Sequence, residues 1–136
     1  TNLIALFSTT QPVFSAMCEA GTGVVINIGS VNGERGQAGQ CNYAAAKAGL
    51  HGFTMSLARE GARYGVRAVT VSPGYTQTPM IDAIREDVRD AIRLQIPMQR
   101  FADPSEIAAT VSFLSSPGAA YITGADIPVN GGLHIG

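Results

Sequence analysis

Lysine is nearly missing from this chain. Of its nine basic residues, eight are arginines and one, Lys47, is lysine. The arginines are scattered, and the formal net charge is -1. Both facts argue against the basic footprint of a nucleic-acid surface. Long apolar runs are missing too: none approaches the roughly 18 residues of a membrane span. No charged-then-apolar leader stands at the start. Cysteine is confined to Cys18 and Cys41, at no metal-binding spacing. Two thiols in a reducing compartment is a simpler reading than a disulfide. Together these absences predict a soluble cytosolic protein with no nucleic-acid and no membrane partner.

What is present suits one modest globular domain. The 136 residues are 46% apolar, enough for a buried core. Leu3, Ile4, Leu6, Phe7, Val13, Phe14 and Met17 recur at roughly helical spacing up to Ala20. Pro12 within that run should kink the helix or remove one hydrogen bond. "VVINI" (Val24 to Ile28) and "VRAVTV" (Val66 to Val71) are β-branched and barely alternate, as strands buried on both faces do. Gly29 to Gln40 reads as a loop, and helix resumes near Tyr43 and runs to about Tyr64. Thr78 to Leu94 predicts one or two short helices. Asp103 reads as an N-cap, with Pro104 as first residue and Glu106 three after the cap. "ADIPVNGG" (Ala125 to Gly132) predicts a last strand and a glycine turn. Strands alternating with long helices predict an α/β fold, a doubly wound parallel sheet in three layers. Three strands are few for such a sheet. The chain also opens on Thr1 with what already reads as helix, so further strands are expected upstream.

Tyr43 and Lys47 are four residues apart and share one face of a helix. A lysine ammonium beside a phenol favours the phenolate by direct charge. A phenol, which ordinarily titrates near about pH 10, can then act as an acid near neutrality. Ser30 follows the strand "VVINI" at the sheet edge where open α/β folds place ligands. Its hydroxyl could hold a substrate carbonyl beside the tyrosine. A strand-end serine followed by Tyr-x-x-x-Lys at a helix start suits protonation of a carbonyl oxygen as hydride reaches its carbon. Taken singly, the same residues read as a surface tyrosine, a solvated lysine and a capping serine. The case rests on the ordered set.

That set resembles the short-chain dehydrogenase/reductase family, over the whole chain. "TNL" (Thr1 to Leu3), "INIGSV" (Ile26 to Val31), "NYAAAKAGLHGFTMSLARE" (Asn42 to Glu60), "VSPG" (Val71 to Gly74) and "YITGADIPVNGG" (Tyr121 to Gly132) carry the likeness. The resemblance implies a Rossmann-type fold and a catalytic tetrad at Asn2, Ser30, Tyr43 and Lys47. Tyr43 would be the acid/base, Ser30 would orient substrate, and Lys47 would hold the nicotinamide ribose. Asn2 would hold a water linking Lys47 to solvent. By the same likeness Tyr43, Lys47, Pro73, Gly74 and Thr78 contact the cofactor.

Within the family the chain looks most like reductases of β-keto thioesters. It shares "NYAAAKAGL", "YITG" and "VNGG" with 3-oxoacyl-acyl-carrier-protein reductases. It shares "SVNG", "GQAGQCNY", "GLHGFTMSLA", "VSPGY" and "NGGLHIG" with acetoacetyl-coenzyme A reductases. That likeness puts Gln37, Gln40 and Tyr75 in the acyl pocket. As loop residues, the glutamines could equally be solvated, and Tyr75 could be a lid that packs without touching substrate. NADPH is implied by the subfamily alone, with NADH not excluded. Family members are usually homotetramers, and the alanine-rich face of Asn42 to Leu57 would suit close helix contact. Docking a carrier protein would need a basic patch, for which Arg35 and Arg85 are weak candidates.

Two departures stand out. Val69 replaces the asparagine usual in its strand, and Gly61 interrupts a long helix at a cost of about 1 kcal/mol against alanine. The larger departure is an absence. The family's glycine-rich turn, which seats pyrophosphate at a helix N-terminus, does not occur here. "GERGQAG" (Gly33 to Gly39) follows the serine strand and cannot be that turn. Residues 1–136 are therefore expected to be the C-terminal portion of one domain, without the dinucleotide-binding half. A truncated, non-catalytic fragment and a reductase of simple alcohols, sugars or steroids remain open alternatives.

Overall fold

The computed structural model describes residues 2–136. Along the chain lie α1 (Asn2–Ala20), β1 (Gly23–Ile28), α2 (Val31–Arg35), α3 (Cys41–Gly61) and β2 (Val66–Pro73). They are followed by α4 (Pro79–Asp82), α5 (Glu86–Gln95), α6 (Pro104–Ser115) and β3 (Asp126–Val129). Short 3-10 turns occupy Ala62–Tyr64 and Pro117–Ala119.

The middle strand explains the layering. Successive side chains on a strand point to opposite faces. Val69 and Val71 of β2 pack with Leu114, Ile107 and Val111 of α6. Ala68, on the other face, packs with Leu57 and Ala58 of α3 and with Phe14 of α1. The sheet is thus covered by α1 and α3 on one side and α6 on the other. Complete burial of a leucine such as Leu114 contributes about 1.5–3 kcal/mol. Val69 is fully buried in this apolar layer, where an asparagine would need a hydrogen-bond partner.

The sheet order is β1-β2-β3, parallel throughout. Gly23 pairs with Val66 and Ile28 with Val71, while Thr70 pairs with Asp126 and Pro73 with Val129. Parallel pairing brings the carboxyl ends of all three strands to one edge, where Ser30, the segment after Pro73 and Asn130 follow. A small polar layer ties α3 to the sheet. Thr54 Oγ1 accepts from Asn27 Nδ2 and from Thr70 Oγ1, each at 2.9 Å. It donates to the Leu50 carbonyl, also at 2.9 Å. Asn27, Thr54 and Thr70 are all buried.

α1 runs unbroken through Pro12. The missing N–H costs a hydrogen bond on an exposed stretch of helix, where water can reach the orphaned carbonyl. Gly61 has a packing reason: a Cβ there would lie 2.8 Å from the Val66 carbonyl oxygen and 3.1 Å from the Phe14 ring. The stretch 29–40 is not all loop, because it contains α2. Ser30 nucleates that helix by accepting a hydrogen bond from Asn32 N, and the chain leaves it at Gly36 with φ 70°. The capping box at Asp103 and Glu106 is formed. Cys18 and Cys41 are both free.

Candidate active site

The corner between α2 and α3 is built by close approach. Gly29 N–H donates to the Val71 carbonyl at 2.7 Å, and a Cβ on Gly29 would meet Ser72 Oγ at 2.6 Å. The backbone entering Ser30 is therefore pressed against β2. Gly33 then lays α2 onto α3: a Cβ there would stand 2.8 Å from Lys47 Cβ. Any side chain at Gly33 would push the serine's helix away from the lysine's.

Ser30 is the N-cap of α2 in an extended conformation, φ -168° and ψ 144°. Its Oγ accepts from Asn32 N at 3.2 Å, which leaves its own hydrogen free to donate. Lys47 reaches back across the corner, and its Nζ donates to the Ile28 carbonyl at 2.8 Å. That carbonyl lies two residues before Ser30. The same Nζ stands 5.8 Å from the centroid of the Tyr43 ring, and Tyr43 is 39% exposed. An ammonium has three donors, so two remain for a ligand. The corner thus offers a phenol, a cation and a hydroxyl at the carboxyl end of β1.

The other residues singled out in the sequence fall in three places. Gln40 is the N-cap of α3 without a side-chain capping bond. Its Oε1 instead accepts from Asn32 Nδ2 at 3.1 Å. Gln37 lies on the same connection, with its Oε1 shielded from solvent and without a partner among the described residues. Pro73 ends β2. Gly74 donates to the Val129 carbonyl at 3.0 Å, and a Cβ on it would lie 2.8 Å from Asn130 Cα. Tyr75 packs edge-to-face on Phe101, with ring centroids 6.4 Å apart at 71°. Thr78 begins α4 with no side-chain capping bond, so its hydroxyl is available. The side chain of Asn2 lies outside the described residues. Arg85 is paired with Asp87 at 2.6 Å on the exposed surface, and Arg35 donates to Asn32 Oδ1.

Two features escaped the sequence reading. Asn32 bonds both Ser30 and Gln40; its only signal was its place two residues after a capping serine. The second is a polar cluster behind α2. Ligand atoms of Glu34, His51 and Asp126 lie within 4.8 Å of one another. Buried Ser72 donates to Asp126 Oδ1 at 2.8 Å, His51 Nδ1 is 3.4 Å from Asp126, and His134 Nε2 is 3.8 Å from Glu34. Burial pushes the Glu34 carboxyl above its ordinary range, as does its hydrogen bond with Asp126. These residues are spread from position 34 to 134, and no local pattern joins them.

Comparison with known proteins agrees with this architecture. The family model described as enoyl-(acyl carrier protein) reductase matches residues 1–134. An acetoacetyl-CoA reductase of Allochromatium vinosum is 56% identical over 134 residues, covering 98% of this chain and 54% of the relative. An acetoacetyl-CoA reductase of Cupriavidus necator is 54% identical, covering 100% and 55%. A 3-oxoacyl-[acyl-carrier-protein] reductase of Vibrio cholerae is 50% identical, covering 99% and 55%. The chain thus spans about half the length of these curated relatives. Among the described residues, no helix is long and apolar enough to cross a membrane. With its parallel α/β sheet, its strand-end serine and a family match that spans nearly every residue, the chain belongs to the short-chain dehydrogenase/reductase family.

Proposed function

We propose that this chain is the catalytic, C-terminal part of an NADPH-dependent reductase of β-keto thioesters, acting on acetoacetyl-CoA to form 3-hydroxybutyryl-CoA. The observation that carries the reading is Lys47, bound to the Ile28 carbonyl at the strand end with its ammonium 5.8 Å from the Tyr43 ring. The identity to relatives named acetoacetyl-CoA reductase supports the substrate class.

The donor set suits the nicotinamide riboside end of a dinucleotide. Lys47 has two N–H groups left for ribose hydroxyls, and Thr78 has an uncommitted hydroxyl for a carboxamide. Pro73 and Gly74 would form the adjoining wall, held rigid by the Gly74–Val129 bond. When bound, the cofactor supplies the hydride. The chain's own residues do the rest. Ser30 donates to the keto oxygen and fixes it near Tyr43. Tyr43 gives that oxygen its proton as negative charge develops there. Lys47 stabilises the phenolate left behind and, through Asn2 and a water, connects it to solvent. Gln37, Gln40 and Tyr75 contact the acyl thioester. NADH is the alternative cofactor. The reading includes a cytosolic homotetramer, for which Ala45, Ala48 and Gly52 leave a flat exposed strip on α3.

Tyr43→Phe in the full-length protein tests the role of the phenol. We expect kcat to fall by about 10²–10⁴-fold, the usual worth of a positioned acid, with NADPH affinity retained. Near-normal turnover would remove Tyr43 from the mechanism. The 50% identity to 3-oxoacyl-[acyl-carrier-protein] reductases supports a second substrate reading. The ratio of kcat/KM for the coenzyme A and carrier-protein thioesters decides between the two.

A further inference from the structure

Arg35, Asn32 and Gln40 form a hydrogen-bond relay whose direction is set by chemistry. A guanidinium has donors only, and Arg35 Nε meets Asn32 Oδ1 at 3.3 Å. Asn32 must therefore turn its oxygen to Arg35 and its amide N–H to Gln40. The second bond, from Asn32 Nδ2 to Gln40 Oε1, spans 3.1 Å. Reversing either amide would set donor against donor or acceptor against acceptor. Gln40 is thereby obliged to keep its oxygen inward, and no described residue accepts from its Nε2. Asn32 also acts through its main chain. Its N–H donates to Ser30 Oγ at 3.2 Å, which engages one of the two lone pairs of the hydroxyl and leaves its hydrogen to point elsewhere. Bonds in such a chain polarise one another, which sharpens the terminal donor.

We propose that Asn32, steered by Arg35, is a positioning residue that presents Ser30 and Gln40 together as donors to the two carbonyl oxygens of a 1,3-dicarbonyl substrate. This rests on the β-keto thioester reading. Ser30 would meet the keto oxygen and Gln40 the thioester oxygen. A ketone with no second carbonyl would use only the first donor. Asn32 is thus a specificity determinant that touches no substrate atom.

Asn32→Asp tests this with almost no change of shape. The new carboxylate still accepts from Arg35, and the backbone N–H to Ser30 is untouched. It cannot donate, so Gln40 must turn over, give Nε2 inward and face the pocket with Oε1. In the full-length enzyme we expect KM for acetoacetyl-CoA to rise about tenfold, the cost of one opposed hydrogen bond. kcat should change little, as for lost uniform binding, and KM for a simple ketone should hold. Arg35→Met, which frees the Asn32 amide to flip, should give a smaller rise in the same direction. Unchanged thioester KM in both variants overturns the proposal. A second readout does not depend on the substrate. With selective ¹⁵N-glutamine labelling, the Gln40 side-chain amide should exchange rapidly with solvent in the natural protein and slowly in Asn32→Asp. Equal exchange in both overturns the relay. The expected reversal in a protein inactive on β-keto thioesters upholds the relay and sinks the substrate assignment instead.

Discussion

At the scale of single residues, this corner depends on side chains that do no chemistry. Gly29 and Gly33 matter for the space they leave, and Glu34 matters for where its charge is kept. The Glu34 carboxyl faces Asp126 from α2, with His51 on α3, His134 near the C-terminus and Ser72 on β2 around the pair. Its pKa is raised, first by burial and then by the hydrogen bond with Asp126. A raised carboxyl prefers its protonated form in the folded state. The stability this contributes is complete below the ordinary value of 4.5 and is lost as pH rises through the raised one. Glu34→Gln removes the titration while keeping a donor for Asp126. We therefore expect the natural protein's urea midpoint to decline, relative to the variant's, as pH rises from about 4.5 toward neutrality. A difference that stays constant across that range would show that the pair is not sharing a proton.

Among the elements, the last long helix shows what a sequence can announce. Asp103 accepts from Ser105 N at 2.8 Å, and Glu106 Oε2 accepts from Asp103 N at 2.8 Å. Arg100 then grips both oxygens of Glu106 at 2.7 Å. The guanidinium, followed by the backbone N–H of Asp103, holds the Glu106 pKa down to about 2 from 4.5. A lowered carboxyl stabilises above its ordinary value, and that help disappears as pH falls from 4.5 toward about 2. Glu106→Ala should speed amide exchange at the first turn of α6 several-fold at pH 6 and have little effect at pH 2. Equal acceleration at both pH values would assign the effect to helix propensity alone. The cap was legible because all its parts lie within four residues. The same held for β2, whose β-branched run is buried as expected, whereas β1 was legible as a strand but is only half-buried, with Ile28 exposed. α2 was not legible: it is five residues long with Gly33 inside, and its stability comes from lying on α3. Tyr43, Lys47 and Ser30 stood out only as an ordered set that resembles the family's signature, since the Tyr-x-x-x-Lys spacing alone is common. Asn32 and the Glu34–Asp126 pair did not stand out, because their meaning arises only when α2 docks.

For the whole molecule, the sheet is covered on both faces but not along its length. Among the described residues β1 has a strand partner on one side only. Nearby, α1 exposes Ile4 at 73%, Phe7 at 58% and Val13 at 52%. An unpaired edge beside apolar side chains is a template for association. The 136-residue chain, produced by itself, should sediment as oligomers or aggregates at micromolar concentration. Ile4→Asp with Val13→Asp should shift it toward monomer, and a monodisperse monomer without those changes would refute this. We also expect no tight NADPH binding by that chain in calorimetry. The polar layer beneath α3 has a consequence at this same scale. A helix packed only by grease can turn about its own axis at small cost. Here Thr54 works like a key in a shaft: turning α3 by one residue, about 100°, would strand Asn27 and Thr70 without partners. The bearing of Tyr43 and Lys47, about three and two turns away along the same rod, is therefore indexed from the middle of the sheet.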